Sequence, residues 1–236
     1  MSDGPLQIGV VTLFAELFSS FETVSFVGRA RKLGLLELSF ENLRDHGLGR
    51  HKSVDDTPYG GGSGMVLRVD CLVSAIESLE AKMGGRGKRV LMTPQGVPHS
   101  TRLARELGAE KRLILICGRY EGFDERVRDF VDLELSLGDF VLTGGEIPAM
   151  AVIESAIRFL PGVLGNEGST EEESFSPELE GGLEYPQYTR PAEFRDVPVP
   201  DILKGGDHEK VRKWRLERSA ERTLGRRPDL RSGPKR

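Results

Sequence analysis

Residues 113–148 read LILICGRYEGFDERVRDFVDLELSLGDFVLTGGEIP, and the rest of the chain is organised around this segment. Two apolar runs, 113–117 and 140–142, each end in a glycine-rich segment, 118–122 and 144–145. Short apolar runs bounded by turn residues are typical of buried strands. Glycines after a strand let the backbone approach a ligand, and open α/β sheets bind ligands at the carboxyl ends of their strands. The stretch therefore predicts two strands that lead into the floor of a small-molecule site.

Strands and helices alternate on both sides of this stretch. The pattern predicts further strands at 7–13, 36–40 and 89–92, the last ended by TPQG at 93–96, and helices at 21–33, 69–83, 100–107 and 147–160. This alternation predicts an α/β fold, a parallel sheet with helices on its faces. Residues 42–64 are polar and glycine-rich, which predicts either a mobile surface loop or a loop that orders over a substrate.

Length and composition bound the class of protein. A chain of 236 residues with 38% hydrophobic residues suits one large domain, or one of about 150 residues with a small second one. No apolar run reaches the roughly 18 residues that a membrane helix needs, and the N-terminus lacks the basic segment of a signal peptide. Two cysteines and four scattered histidines indicate neither a disulfide framework nor a structural zinc site. We expect a cytoplasmic protein with no membrane contact.

Charge is distributed unevenly along the chain. The net charge is −4, but residues 204–236 hold twelve basic and five acidic side chains, so they carry +7 and the rest carries −11. A basic end of this kind is expected either to meet a polyanion or to form a solvated helix face. It contains a predicted helix over 207–224, with Asp207 as N-cap and Gly225 as C-cap. Before it, residues 166–185 hold seven glutamates and no basic residue, which predicts a flexible linker.

Several familiar site types are excluded. The chain contains no GxxxxGK[ST] phosphate loop, no GxGxxG dinucleotide fingerprint and no GxSxG nucleophile elbow. Short loops with free backbone groups remain, and these suit the edge of an adenine and a ribose. Glu121 and Asp139 lie in such loops, where they either meet hydroxyls or a positive centre or are ordinary loop carboxylates.

Six motifs in register resemble the bacterial tRNA (guanine-37) N(1)-methyltransferases. They are VDDTPYGGGSGM (54–65), TPQG (93–96), GRYEGFDERV (118–127), SLGDFVLTGGE (136–146), IRFLPGVLG (157–165) and ESFSPELEGGLEYPQYTRP (173–191). The basic segment 204–230 also resembles the small tRNA-contacting domain of that family. The resemblance covers nearly the whole chain in the same order.

The resemblance implies a fold that the residue pattern does not show. It implies a SPOUT-type parallel sheet with a deep trefoil knot around 93–148, followed by a small, mainly helical C-terminal domain. The implied boundaries are 1–161 for the knotted domain, 162–185 for the acidic linker and 186–236 for the tRNA-binding domain. The implied partners are the tRNA anticodon stem-loop and a second copy of the chain in a homodimer. S-adenosylmethionine is the implied methyl donor, with magnesium assistance, although no metal-ligand cluster is readable.

The resemblance also assigns individual residues. The implied cofactor positions are Thr93, Pro94, Gln95, Gly118, Tyr120, Leu137, Gly138, Asp139, Phe140, Val141, Leu142, Gly144 and Gly145, and Glu121 is added to them from its place in the loop. The tRNA-binding positions are Asp55, Ser174, Lys213, Arg215 and Arg218.

Two catalytic residues are implied, and one departs from the family pattern. Glu173 stands where the family has an aspartate before Ser-Phe, and it is the expected general base, with Glu171 and Glu172 as rivals. A base is needed because guanine N(1) carries a proton that must leave as the methyl group arrives. Arg158 stands where the family has an arginine near the guanine, and its alternative role is a helix pair with Glu154.

Two other functions compete with base methylation. A knotted methyltransferase that acts on a ribose hydroxyl is one, and the carboxylate before Ser174 argues against it. A tRNA-binding protein that has lost catalysis is the other, and the change at Glu173 motivates it.

Overall fold

A computed structural model describes residues 4–165 and 171–232 of the chain. The chain divides into two compact units, 1–165 and 166–236. In chain order the strands of the first unit are β1 (Leu6–Thr12), β2 (Leu36–Asn42), β3 (Asp55–Asp56), β4 (Val66–Leu67), β5 (Lys88–Pro98), β6 (Arg112–Cys117) and β7 (Leu133–Ser136). Its helices are α1 (Ser25–Lys32), α2 (Val69–Lys82), α3 (Thr101–Gly108) and α4 (Glu146–Ile157).

A parallel sheet with the order β2-β1-β6-β5-β7 organises the first unit. The central strands β1 and β6 are almost wholly buried, as expected where helices cover both faces of a parallel sheet. Apolar residues of α1, α3 and α4 pack on one face, and those of α2 pack on the other. The predicted α/β fold with a parallel sheet is therefore confirmed.

The strand predicted at residues 140–142 is wrong. This segment is a loop in which Val141 is 83% exposed. The strand is instead β7 at the sheet edge, with the sequence LELS. Glu134 of β7 pairs with Arg128, which an edge strand permits because its outer side is open.

The TPQG motif does not end the preceding strand, as the sequence had suggested. β5 continues to Pro98 across a bulge, so that Met92 and Val97 both pair with Leu135 of β7. A Cβ atom at Gly96 would collide with the backbone of Leu135. The glycine therefore marks close contact between two strands rather than the end of one.

The polar segment 42–64 is only partly irregular. It contains a 3-10 turn (Leu43–His46) and β3, which pairs antiparallel with β4. Leu67 of β4 also forms a parallel bridge with Phe123. The segment is thereby tied to the loop that follows β6.

The second unit is mainly helical, with β8 (Glu193–Phe194), β9 (Val197–Pro198), α5 (His208–Arg226) and α6 (Asp229–Ser232). Asp207 caps α5, since its Oδ1 accepts the Lys210 N–H at 3.1 Å. The predicted C-cap at Gly225 is wrong, because α5 runs through it to Arg226. Pro228 explains the true end, since the residue before a proline is disfavoured in a helix.

The acidic segment expected to be flexible is ordered in its described part. Residues 171–185 include a 3-10 turn (Pro177–Leu179), and Tyr185 is buried. The Leu183 N–H donates to Thr223 Oγ1 at 2.9 Å, and Ser219 Oγ donates to the Leu183 carbonyl at 2.6 Å. This part of the segment therefore packs on α5, while residues 166–170 lie outside the described residues. Across the ranges that the structure describes, no helix is both long and apolar enough to cross a membrane.

A buried ion pair between Glu80 of α2 and Arg89 of β5 connects this helix to the sheet. Its carboxylate accepts from Arg89 Nε at 3.0 Å, from Arg89 Nη2 at 2.8 Å and from the Gly87 N–H at 3.2 Å. Burial by itself raises the pKa of Glu80, but these hydrogen bonds outweigh it and lower the pKa below the ordinary 4.5. The pair therefore stabilises the fold above that pH, and its contribution falls as the pH drops through the lowered pKa.

Replacing Glu80 tests this ion pair. Glu80→Gln should lower the free energy of unfolding by about 3 kcal/mol at neutral pH, because it leaves a buried guanidinium without its charged partner. The deficit should shrink as the pH falls below 4.5, where the wild-type carboxylate also loses its charge. Urea denaturation followed by circular dichroism at both pH values measures it. The control is Glu106→Gln, in an exposed pair with Arg102, and an equal loss in both variants would contradict the account.

Candidate active site

A cavity of about 210 Å³ lies in the first unit, at the carboxyl ends of β6 and β7 and beside the irregular part of β5. Residues 91–95 of β5 and the loops that follow β6 and β7 line it, as expected for ligand sites of open parallel sheets. Twelve predicted cofactor residues line it: Thr93, Pro94, Gln95, Gly118, Tyr120, Glu121, Leu137, Phe140, Val141, Leu142, Gly144 and Gly145. Gly138 and Asp139 lie in the same loop but outside the lining. The cavity therefore brings most of that predicted set together.

Two loops of the cavity touch backbone to backbone. The Gly145 N–H donates to the Gly118 carbonyl at 3.0 Å. A Cβ atom at Gly145 would lie 2.6 Å from Cys117 Cα and 2.7 Å from the Gly118 nitrogen. The glycine is thus needed for contact between the loops themselves, and not only for the approach of a ligand.

The loop that follows β6 is held by the polar segment before α2. The Glu121 N–H donates to the Met65 carbonyl at 3.0 Å, and the Leu67 N–H donates to the Gly122 carbonyl at 2.9 Å. Tyr120, between these ties and Gly118, has the uncommon left-handed φ of 59°. The glycine-rich residues 60–64 end beside Glu121, where a Cβ atom at Gly64 would meet the Glu121 side chain.

The prediction from sequence missed a buried carboxylate under the cavity. Glu146 begins α4, and its Oε1 accepts from Thr12 Oγ1 at 2.8 Å. Its Oε2 lies 4.0 Å from Arg119 Nη1, which donates to the Thr143 carbonyl at 3.0 Å. The Glu146 carboxylate thus links the end of β1 to both loops of the cavity, and the helix N-terminus favours its negative charge. The available signal was a carboxylate directly after two glycines at the start of an apolar helix.

Cys117, at the floor of this region, is not a nucleophile. Burial, with a smaller effect of nearby Glu146, raises the pKa of its thiol well above the ordinary value. A buried thiol that stays protonated packs as a small apolar group.

The two predicted catalytic residues belong to different units. Arg158 is the C-cap residue of α4 and is half-buried in the first unit. Glu173 is half-buried in the second unit. The structure of each unit alone does not bring them together.

The predicted tRNA-binding residues are also divided between the units. Asp55 lies on β3 of the first unit. Ser174 Oγ accepts the Glu184 N–H at 2.9 Å, so this side chain already supports the local backbone. Of the basic residues on α5, Lys213 is exposed, whereas Arg218 pairs with Glu221 at 2.6 Å and Arg215 lies 3.7 Å from Glu172.

Comparison with known proteins shows a match along the whole fold. The family model described as tRNA (Guanine-1)-methyltransferase TrmD matches residues 6–233. The chain is 55% identical to the tRNA (guanine-N(1)-)-methyltransferase of Sorangium cellulosum, over 95% of this chain and 93% of the relative. It is 48% identical to that of Pelotomaculum thermopropionicum and 50% identical to that of Clostridium beijerinckii. These two alignments cover 95% of this chain, and 89% and 92% of the relatives.

Adding one methyl group at Gly145 tests the contact between the loops. Gly145→Ala should lower the free energy of unfolding of the first unit by about 1–3 kcal/mol, because the backbone at Cys117 and Gly118 must move to admit it. The control is Gly225→Ala, which meets nothing within 4 Å inside α5. It should raise stability by up to about 1 kcal/mol, since alanine favours helix. Chemical denaturation measures both, and an unchanged Gly145→Ala would show that the loops are not in contact.

Proposed function

The chain belongs to the TrmD family of tRNA (guanine-1)-methyltransferases, and on this premise we propose that it methylates N(1) of guanine-37 in tRNAs that have a guanine before it. One structural observation carries the proposal: twelve residues predicted to hold the methyl donor line a single cavity at the carboxyl edge of the sheet. The proposed role is to support maintenance of the reading frame. We further propose that the enzyme works in the cytoplasm as a homodimer, and that residues 93–148 form a trefoil knot.

The residues of the cavity fit S-adenosylmethionine. Backbone groups of β5 at 93–95 and of the loops at 118–122 and 137–145 offer donors and acceptors to an adenosine, while Leu137 and Phe140 offer apolar walls. The Glu121 carboxylate suits hydroxyl or positively charged groups. In the proposal these residues, with Gly138 and Asp139, hold the cofactor. When bound, S-adenosylmethionine supplies an electrophilic methyl group carried on a sulfonium.

The chain's own residues handle the proton and the charge on the guanine. N(1) of guanine carries a hydrogen, so its lone pair becomes available only as a base removes that proton. We assign this role to Glu173, which offers the same carboxylate chemistry as aspartate on a longer side chain. We assign to Arg158 the stabilisation of negative charge that develops on the neighbouring carbonyl oxygen.

The remaining assignments concern the tRNA and a metal. Asp55, Ser174, Lys213, Arg215 and Arg218 are the proposed tRNA contacts. Residues 4–165 and 171–232 contain no group of three or more His, Cys, Asp or Glu that could hold a metal ion. Magnesium assistance, which the family resemblance implies, stays a prediction.

A transfer assay with labelled S-adenosylmethionine and unmodified tRNA tests the base. The wild type should label the tRNA, and Glu173→Gln should lower the rate by about a hundredfold or more because the proton then has no acceptor. Cofactor affinity, measured by calorimetry, should stay within twofold of the wild type. Glu171→Gln, two residues away, is the matched control and should keep its activity. A fully active Glu173→Gln would place the base elsewhere, and a wild type that binds tRNA without labelling it would support the non-catalytic alternative.

Charge reversal at Lys213 tests the nucleic-acid face of α5. Lys213→Glu should weaken tRNA binding and make the slope of log affinity against log salt less negative by about one or more, since each phosphate contact releases counterions. The control is Lys111→Glu, an exposed lysine directly before β6 and therefore at the end of the sheet away from the cavity. Fluorescence anisotropy over a series of salt concentrations gives both slopes. An unaltered slope for Lys213→Glu would indicate that this side of α5 is a solvated helix face that does not contact phosphate.

A further inference from the structure

Both neighbours of Glu173 are tethered to the same short stretch of chain. Glu172 Oε2 accepts the Tyr185 hydroxyl at 2.7 Å, and Ser174 Oγ accepts the Glu184 N–H at 2.9 Å. Two tethers that flank one residue restrict the backbone torsions on both of its sides. Glu173 therefore has a backbone position set by residues 184 and 185.

Main-chain hydrogen bonds close a turn around the same segment. The Ser176 N–H donates to the Glu173 carbonyl at 3.1 Å, and the Phe175 N–H donates to the Gly182 carbonyl at 2.7 Å. Phe175 has a left-handed φ of 72°. A bulky residue in this region is strained and persists only where the surroundings determine it, often at functional sites. The fold thus holds this turn in one conformation at an energetic cost.

The other end of the tethers is anchored to α5. The Thr223 and Ser219 hydroxyls bond the backbone of Leu183, and Arg222 Nη1 donates to the Glu184 carbonyl at 3.1 Å. These bonds fix the stretch that carries Tyr185 against the longest helix of the second unit. Hydrogen bonds therefore connect the backbone around Glu173, through residues 183–185, to α5.

Arg215 of α5 contacts both partners of the Tyr185–Glu172 bond. Its guanidinium lies 4.7 Å from the centre of the Tyr185 ring and 3.7 Å from Glu172 Oε2. Tyr185 is only 6% exposed, and burial followed by the bond to Glu172 raises the pKa of its phenol to about 12. The phenol accordingly remains a hydrogen-bond donor throughout the physiological pH range.

We propose that Tyr185, Glu172 and Arg215, here called the Tyr185 cluster, are positioning residues that hold Glu173 at the geometry needed for proton removal. The inference rests on the proposed function of Glu173 as the general base. A glutamate side chain has three torsions, so its carboxylate reaches one place reliably only if its backbone is fixed. Since a misplacement of 1 Å can cost about a hundredfold in rate, such support affects turnover directly.

For Arg215, this inference replaces the tRNA contact proposed above with a positioning role. A guanidinium stacked on a buried tyrosine and paired with a carboxylate has part of its charge already compensated. Loss of Arg215 should therefore slow the chemical step more than it weakens tRNA binding. Arg212, exposed on the same helix, provides the comparison.

Tyr185→Phe is the decisive variant, because it keeps the ring for Arg215 and removes only the donor to Glu172. The single-turnover rate of methyl transfer, with tRNA and cofactor saturating, should fall about tenfold or more. The dissociation constants for both should stay within twofold. Glu172→Ala and Arg215→Gln should behave alike, Glu172→Gln should retain the rate because its amide oxygen still accepts the phenol, and Arg212→Gln should retain it as the control.

Hydrogen exchange supplies a readout that needs no activity. In Tyr185→Phe the amides of Ser176 and Glu184 should exchange faster, while those in the middle of α5 should be unchanged. If the wild type transfers no methyl group, the proposed function fails, and the exchange data still test the cluster. Unchanged exchange in Tyr185→Phe would overturn the inference, whether or not the rate falls. So would an Arg215→Gln variant that loses tRNA affinity and salt dependence at an unaltered rate.

Discussion

The backbone before α4 rests on the backbone at the end of β6, with the Gly145 N–H bonded to the Gly118 carbonyl at 3.0 Å. Close contact of this kind brings two loops to one edge of the sheet, and residues 93–95 of β5, just before the bulge at Gly96, form a third wall of the cavity. Because the two loops contact each other through main chain, backbone donors and acceptors line the cavity beside charged side chains such as Arg119, Glu121 and Arg128. Glu146 reinforces the arrangement from below by joining β1 to the same loops. The cavity is therefore a product of packing between loops, and its polar character follows from that packing.

The sequence predicted the parts of the fold that depend on local pattern. Apolar runs located β1, β2 and β6, and Asp207 marked the start of α5, which its side chain caps. It failed where apolar sequence and burial differ: residues 140–142 are apolar yet exposed, whereas the edge strand β7 contains Glu134, which pairs with Arg128. It also failed for Glu146, whose partner Thr12 is 134 residues away. No local pattern reports a contact of that separation.

Prediction of the site came from another source. Periodicity and glycine placement indicated a ligand at the sheet edge but not its identity, and the set of cofactor residues came from resemblance to a family. The structure gathers twelve of those residues in one cavity. The two proposed catalytic residues are not gathered in this way, because Arg158 and Glu173 belong to separate units. Within the second unit, the acidic segment forms a turn that packs on α5. The side chains of both neighbours of Glu173 accept hydrogen bonds from residues 184 and 185.

In the proposed function the first unit binds the methyl donor and a carboxylate of the second removes the proton from guanine N(1), so the identity of the methylated atom decides whether the proposal holds. The most direct measurement is nuclease digestion of the reacted tRNA, followed by mass spectrometry of the nucleosides and of the fragment around position 37. The account predicts 1-methylguanosine at that position in a tRNA with guanine before it, and none when that preceding guanine is replaced by adenine. A 2′-O-methylated nucleoside, or a methyl group at any other position, would contradict it.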